Sequence, residues 1–318
     1  MITPNSIPTF FDIKKAYAVI QPFAHRTPVF SSLLVNERAQ AKLFFKCENF
    51  QKVGAFKFRG GCNTIMTLNN ETASRGVATH SSGNHAQAIA LSAKLRGIKA
   101  HIVMPENSAS VKIEAVRNYG AEVTLCAASL EARESTLMEV VKKTGATFIH
   151  PYNDTRVISG QGTTAYELLS EHPDLTMLLT PVGGGGLLSG CSIAAKAMNP
   201  EIEVIGSEPD LADDAVRSFK TGTLQPVLST ATIADGLRTS LGELPFKIIQ
   251  QNVDDIVSVS EESIIEAMRF IWERMKIIIE PSSAVPVAAI FEGKVDVANK
   301  KVGIVITGGN MDLGNLPW

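Results

Sequence analysis

The chain has 318 residues, of which 45% are hydrophobic and 19% charged, enough apolar material to fill the core of one large domain or two moderate ones. Thirty basic against thirty-two acidic side chains give a formal net charge of −2, so no overall field would draw the protein onto nucleic acid or an anionic membrane, and small molecules are the expected partners. The four cysteines, Cys47, Cys62, Cys126 and Cys191, are widely spaced without a CxxC pair; this argues against a zinc cage or a disulfide framework and fits a reducing cytoplasm, and no window reaches the roughly 20 apolar residues of a membrane span.

At the N-terminus, "MITPNSIPTFFDIKKAY" lacks the basic region and long apolar run of an export signal. The first apolar run, "KLFFK" (42–46), is followed by "GAFKFRGG" (54–61), in which Lys57 stands between Phe56 and Phe58 with glycines at both ends. A lysine so framed is either a snorkelling surface group or an amine used as chemistry. Further apolar runs follow: "GVATH" (76–80), "AHIVMP" (100–105), "AEVTLC" (121–126), "TFIHP" (147–151), "TMLLTPV" (176–182), "EVIGSE" (203–208) and "KVGIVITG" (301–308). Stretches of helical length separate them. One is "EESIIEAMRFIWERMK" (261–276), where Ile264, Ile265, Met268, Ile271 and Trp272 recur at helical spacing behind an acidic first turn. Strands that are apolar throughout, rather than alternating, predict coverage by helices on both faces, hence an α/β three-layer architecture with a mostly parallel sheet.

Strand-to-glycine transitions occur at "THSSGNHA" (79–86), "TPVGGGGLLSG" (180–190) and "VITGGNMD" (305–312), and ligands of open α/β sheets bind where strands end and helices begin. Gly183, Gly184, Gly185 and Gly186 lack Cβ atoms, so their amides can converge on an anion in front of the helix that follows. The loop has neither the Lys-Ser/Thr ending of a nucleotide P-loop nor a GxGxxG pattern, which disfavours ATP or a dinucleotide there and leaves a simpler phosphate. A phosphate loop combined with an apolar-framed lysine suggests pyridoxal phosphate, with Phe56 over one ring face and a partly desolvated Lys57 amine of lowered pKa.

The segments "ENFQKVGAFKFRGG", "SSGNHAQAIALSAK", "VISGQGT", "PVGGGGLLSG", "TIADG", "ERMKIIIEPS" and "VITGGNMD" resemble, in order, the motif series of fold-type II pyridoxal-phosphate enzymes, and more narrowly the serine/threonine dehydratase and serine racemase family. The resemblance runs from about residue 15 to the C-terminus. It implies a tryptophan-synthase-β-like fold of two three-layer open-sheet domains with the cofactor between them, a small domain of about residues 76–150 being inserted in a large one of 1–75 and 151–318. It makes Lys57 the residue that carries the cofactor, Phe56 its stacking neighbour, Asn84 the partner of its phenolic oxygen, Gly183 to Gly186 with Leu187 the phosphate cradle, and Thr307 the hydroxyl against the pyridine nitrogen. Ser81, Ser82, Gly83, Asn84 and His85 would hold the substrate carboxylate at a helix start. A neutral hydroxyl at the ring nitrogen suits β-elimination, in which the Lys57 amine removes Cα–H and the product hydrolyses to a 2-oxo acid and ammonia.

The branch within the family turns on a few positions. Ser82 resembles the racemase and 3-hydroxyaspartate dehydratase branch, where a second hydroxyl could exchange a proton and invert Cα; the plainer reading is that it only binds carboxylate. Glu208, the carbonyl of Ala212, and Asp214 in "SEPDLADDA" match that branch's divalent-cation site (magnesium, manganese or calcium), although an acidic cluster taken alone reads as solvated surface, with Asp213 outward. Arg133 matches an arginine that would pair with a β-carboxylate, making 3-hydroxyaspartate the alternative to serine and threonine; Thr239, Tyr152 and Asn153 line the same family pocket. A homodimer is the family expectation, and a nucleotide effector at a subunit interface is compatible with it. No regulatory domain is expected after "VITGGNMD". A cysteine-synthase-type transferase and a non-catalytic metabolite sensor are the rival functions.

Overall fold

The structure, a computed structural model, describes residues 6–318; the first five residues, which belong to the N-terminal stretch and to the expected large domain, lie outside the described residues. Ten strands form among the described residues: β1 Val29–Phe30, β2 Lys42–Cys47, β3 Val77–His80, β4 Ala100–Pro105, β5 Glu122–Cys126, β6 Thr147–Phe148, β7 Met177–Pro181, β8 Glu203–Pro209, β9 Asp255–Val259 and β10 Lys301–Ile306. They make a six-stranded sheet of order β1-β2-β10-β7-β8-β9 and a four-stranded sheet of order β5-β4-β3-β6. Every pairing is parallel except β1 against β2.

The continuous apolar character of the strands has the expected cause. In the large sheet Leu179 and Ile304 face a core shared with the helices Glu261–Met275 and Pro281–Phe291, whereas their neighbours Leu178 and Val305 face a second core under the helices Thr155–Glu171 and Gly186–Met198. The small sheet repeats this arrangement, with Ile102 packed beside Ile89 on one face and Val103 beside Leu137 on the other. Both sheets are therefore middle layers. All four cysteines are buried free thiols, and no helix among the described residues is long and apolar enough to cross a membrane.

The small sheet takes its strands from residues 77–148, but its core also holds Ile65, Leu68 and Ala73, supplied by the helix Lys57–Met66, the turn after it and the short helix Asn70–Ser74. That helix is wedged between two others. A Cβ on Gly60 would lie 2.9 Å from the Val157 carbonyl oxygen, and one on Gly61 would lie 3.3 Å from Ala88, so the glycine pair in "FRGG" allows the close approach. Arg59 anchors it beneath. Its Nε and Nη2 donate to Glu48 at 2.7 and 2.9 Å, and its Nη1 and Nη2 donate to Glu167 at 2.9 and 2.7 Å. Lys46 adds a 2.7 Å pair with Glu167, and Thr27 donates to Glu48 at 2.6 Å. Two cations and two carboxylates thus form a closed, fully buried set in which each charge has a hydrogen-bonded opposite. Burial opposes the charge on Arg59, and the two carboxylates more than offset this, so its pKa is raised.

Candidate active site

The C-terminal ends of β3, β7 and β10 open onto one cavity of about 600 Å³ between the two sheets. Three strand-to-helix junctions and the Lys57 segment supply its walls. The approach to Lys57 is a tight turn in which Val53 (φ 58°) and Gly54 (φ 68°) are both left-handed; for a β-branched residue this is strained backbone, held in place by Asn310 Nδ2 donating to the Val53 carbonyl at 2.6 Å. The chain is then stitched to the end of β10 through an isolated Ala55–Gly308 bridge and a 2.9 Å bond from the Phe56 amide to the Thr307 carbonyl. Lys57 opens the helix with its Nζ 5.2 Å from the Phe56 ring centroid and 2.9 Å from the Pro151 carbonyl, to which it donates. Phe58 turns away into a separate core with Ile20 and Cys62. Desolvation lowers the Lys57 pKa to about 8, with Glu280 working in the opposite direction.

After β3, residues Ser81 to Gly83 form the turn into the helix Asn84–Arg96, whose first amides face the cavity with the positive end of the helix dipole behind them. Ser81 Oγ accepts from the Gly83 amide at 3.3 Å. Asn84 Nδ2 donates to both oxygens of Glu280 at 3.0 and 3.2 Å, and its Oδ1 accepts from Asn310 at 2.8 Å. Burial, with Asp235 adding to it, raises the Glu280 pKa far enough to make this carboxyl a proton-holding group near neutrality. His85 is buried, its Nε2 lies 3.3 Å from the Ile149 carbonyl, and burial and then Lys57 push its pKa well down.

The glycine loop follows β7. The amides of Gly183, Gly184 and Gly185 have no hydrogen-bond partner among the described residues, and Gly185 (φ 84°) turns the chain into the helix Gly186–Met198. Side chains have no room here: a Cβ on Gly184 would enter the Tyr152 ring, and one on Gly186 would sit 2.7 Å from Gln161 Oε1. This cradle of free amides at a helix start, facing a desolvated lysine across the same cavity, fits pyridoxal phosphate. Thr307 lines the cavity with its hydroxyl 2.9 Å from Ser283 Oγ.

The cavity thus brings together Phe56, Lys57, Ser81 to His85, Gly183 to Gly186, Leu187 and Thr307, with Arg133 and Thr239 on the same lining. Glu208, Ala212 and Asp214 do not line it; they form a separate buried cluster at the end of β8. Glu208 accepts from the Ala215 and Val216 amides at 3.3 and 2.6 Å, Asp214 accepts from the Leu241 amide at 2.7 Å, and Asp213 turns outward to Arg217. Burial raises both carboxyls, Asp214 to about 6 and Glu208 well above its ordinary value. Among the described residues no three His, Cys, Asp or Glu side chains come together as a metal group; two buried carboxylates without a cationic partner nonetheless suit an oxygen-seeking cation if a carbonyl and waters complete the shell.

Sequence reasoning passed over several cavity residues. In the sequence His150 stands only at the end of an apolar run and Glu280 only inside a motif; Lys112 and Asp235, paired at 2.8 Å, span the cavity between the helix Ser110–Asn118 and the short turn Asp235–Leu237. Pairings over 94 to 196 residues leave no local pattern in the chain. The stretches "TFIHP" and "IIIEPS" are the signals the sequence offers.

Comparison with known proteins agrees with this geometry. Serine racemase of Dictyostelium discoideum is 49% identical over 98% of this chain and 98% of its own length. The beta-hydroxyaspartate dehydratase of Paracoccus denitrificans is 46% identical over 98% of this chain and 99% of its own. The solved structure of maize serine racemase superposes with a TM-score of 0.95 at 46% identity, covering 97% of this chain and 95% of that one. The profile of the family described as "Pyridoxal-phosphate dependent enzyme" matches residues 20–308, and with the lysine, the glycine cradle and the strand-end cavity in place, the chain belongs to that family.

Proposed function

We propose that the protein is an ammonia-lyase that dehydrates small 3-hydroxy amino acids to a 2-oxo acid and ammonia, with racemisation of serine as a companion activity. The observation that carries this is the convergence of the Lys57 amine, the Ser81–His85 turn and the glycine cradle on one cavity. Phe56, Asn84, Gly183 to Gly186, Leu187 and Thr307 would hold pyridoxal phosphate, which when bound supplies the electron sink for negative charge at Cα. The turn amides and the hydroxyls of Ser81 and Ser82 bind the substrate carboxylate at the helix start. The neutral Lys57 amine takes the Cα proton, helped by its lowered pKa. Ser82 supplies the second proton-exchanging group that racemisation needs. Residues 76–150 close as a small domain over the site, a motion that the Lys112–Asp235 pair would latch and that would exclude water.

A specific observation favours 3-hydroxyaspartate as an alternative substrate. Arg133 lines the cavity, and no hydrogen bond or ion pair occupies its guanidinium among the described residues, whereas Lys112 is paired with Asp235 and Arg238 donates to the Thr232 carbonyl at 2.7 Å. A free, planar double donor is matched to a second carboxylate. The Glu208, Ala212 and Asp214 cluster would hold a divalent cation, and the apolar surface of Phe30, Leu33, Leu34 and Phe50 around edge strand β1 would be covered by a second copy of the chain.

The test is a paired assay of cofactor-loaded protein, with and without magnesium, on L-serine, D-serine, L-threonine and threo-3-hydroxyaspartate, following both 2-oxo acid and chirality. Dominant hydroxyaspartate turnover that collapses in Arg133→Ala identifies the dicarboxylate; dominant serine turnover, with D-serine formed only while Ser82 is present, identifies the racemase-lyase. Release of no 2-oxo acid from any of the four would refute the reading.

A further inference from the structure

We propose that His150 is a substrate-binding residue that presents a fixed Nε2–H hydrogen-bond donor to the β-substituent of the substrate. This rests on the ammonia-lyase reading above and assigns a role to a side chain which that reading leaves unused.

The geometry fixes the tautomer. His150 Nδ1 accepts from the Asn153 amide at 2.9 Å and from the Tyr152 amide at 3.3 Å. A ring nitrogen that accepts backbone N–H groups carries no hydrogen of its own, so the proton of the neutral ring is on Nε2. The ring is also held in place: it meets the Tyr152 ring edge-on at 4.6 Å and Phe148 at 5.6 Å, and the Tyr152 hydroxyl is itself tied to Thr239 Oγ1 at 2.9 Å. Nε2 has no partner among the described residues, and His150 lines the cavity. Its neighbour in the chain, Pro151, accepts from Lys57 Nζ, and the Lys57 charge also acts on the imidazole, so both groups serve the same part of the cavity. His80 also acts electrostatically on His150, and Arg133 acts on His80. A cavity donor that feels the Lys57 charge and not that of Arg133 is assigned to the β-substituent, which lies between Cα and any distal carboxylate.

The groups bearing on His150 keep it neutral. Burial lowers its pKa first, His80 and Lys57 add to this, and Asp154 only partly opposes them, leaving a value of about 4. The hydroxyl leaves as water, taking up one proton for the one that Lys57 removes from Cα; His150 gives up no proton of its own, and its bound N–H holds the hydroxyl in position and shares the charge that builds on the oxygen before it is protonated.

A leaving chloride needs no such donor, so the test compares elimination from L-serine or threo-3-hydroxyaspartate with elimination from β-chloro-L-alanine in wild-type, His150→Phe and His150→Gln holoenzymes. Phenylalanine keeps the ring without the donor, whereas glutamine restores an N–H near the Nε2 position. We expect kcat/KM on the hydroxy substrate to fall about tenfold in His150→Phe and to recover in His150→Gln, with chloride elimination changed by no more than about threefold. The pH profile of the hydroxy reaction is expected to keep its shape in His150→Gln. Nitrogen-15 spectra of histidine-labelled protein should show His150 as the Nε2–H tautomer from pH 5 to pH 9, a readout independent of turnover. Equal losses on both substrates, absence of rescue by glutamine, or an Nδ1–H tautomer overturns the role of His150. Wild-type protein that eliminates from neither substrate refutes the ammonia-lyase reading itself, and this inference with it.

Discussion

Replacing Arg59 by methionine removes the centre of the buried charge set and leaves its volume roughly filled. Glu167 would keep Lys46 at 2.7 Å, but Glu48 would retain only the Thr27 hydroxyl at 2.6 Å and become a buried carboxylate with no cation. An ion stranded in this way typically costs about 3–5 kcal/mol. With a urea dependence of about 3 kcal/mol per molar for a chain of this size, the unfolding midpoint should fall by about 1 to 1.7 M. Adding Glu48→Gln removes the stranded charge, so the double variant should be more stable than the sum of the two single losses by about 2 kcal/mol or more. Urea unfolding of the cofactor-free proteins, followed by the fluorescence of Trp272 and Trp318, reads both quantities. A midpoint shift below about 0.3 M for Arg59→Met, or strictly additive losses, would show that the set is not a closed unit and would refute the reasoning.

Other outcomes follow from the site. Capture of added pyridoxal phosphate by the cofactor-free protein requires a neutral Lys57 amine; because burial lowers its pKa, the capture rate should rise with pH to a midpoint near 8, as read from the visible absorbance of the lysine-linked cofactor, and a midpoint in the ordinary lysine range would contradict the desolvation. Gly184→Ala drives a methyl group into Tyr152, and equilibrium dialysis should show cofactor affinity reduced by about tenfold or more. Asp214, raised to about 6, must ionise before it can hold a cation, so magnesium should raise the melting temperature at pH 7.5 and lose this effect as the pH falls below 6; a cation-insensitive melting temperature at both ends would exclude the site. Lys112→Ala breaks a half-exposed pair worth about 0.2–1 kcal/mol, and a KM increase of up to about fivefold, diminished at high salt, is expected.

Much of the architecture could be read from the chain because strands covered on both faces carry nearly continuous apolar runs, the edge strand β5 with its exposed Glu122 and Thr124 departing most from this. The eight runs singled out for that reason are all strands, although "TFIHP" narrows to Thr147–Phe148. β1 and β9 escaped notice for related reasons. β1 is a two-residue antiparallel edge, and β9, "DIVSV", lies at the opposite edge and alternates too briefly for a period to show. The glycine loop and Lys57 were legible because backbone chemistry restricts which residues can serve there. The separation of Phe56 from Phe58 was not: two residues apart in sequence, they enter different surroundings because the helix begins between them. The His150 tautomer was hidden as well, since it depends on amides that reach Nδ1 only after the chain turns beyond β6.

The helix that carries Lys57 belongs to two bodies at once. Its lead-in is pinned to the end of β10, while Ile65, nearer its far end, is part of the small sheet's core. It is therefore a lever with its fulcrum at the cavity. Under the closure proposed above, a rotation of the small sheet that preserves its packing would shift the far end of this helix, with the lysine at its near end. The proposed closure would then carry the amine with it, so substitutions at the small sheet's contact with this helix, such as Ile65 or Ala88, should alter chemistry at Lys57 without touching the substrate.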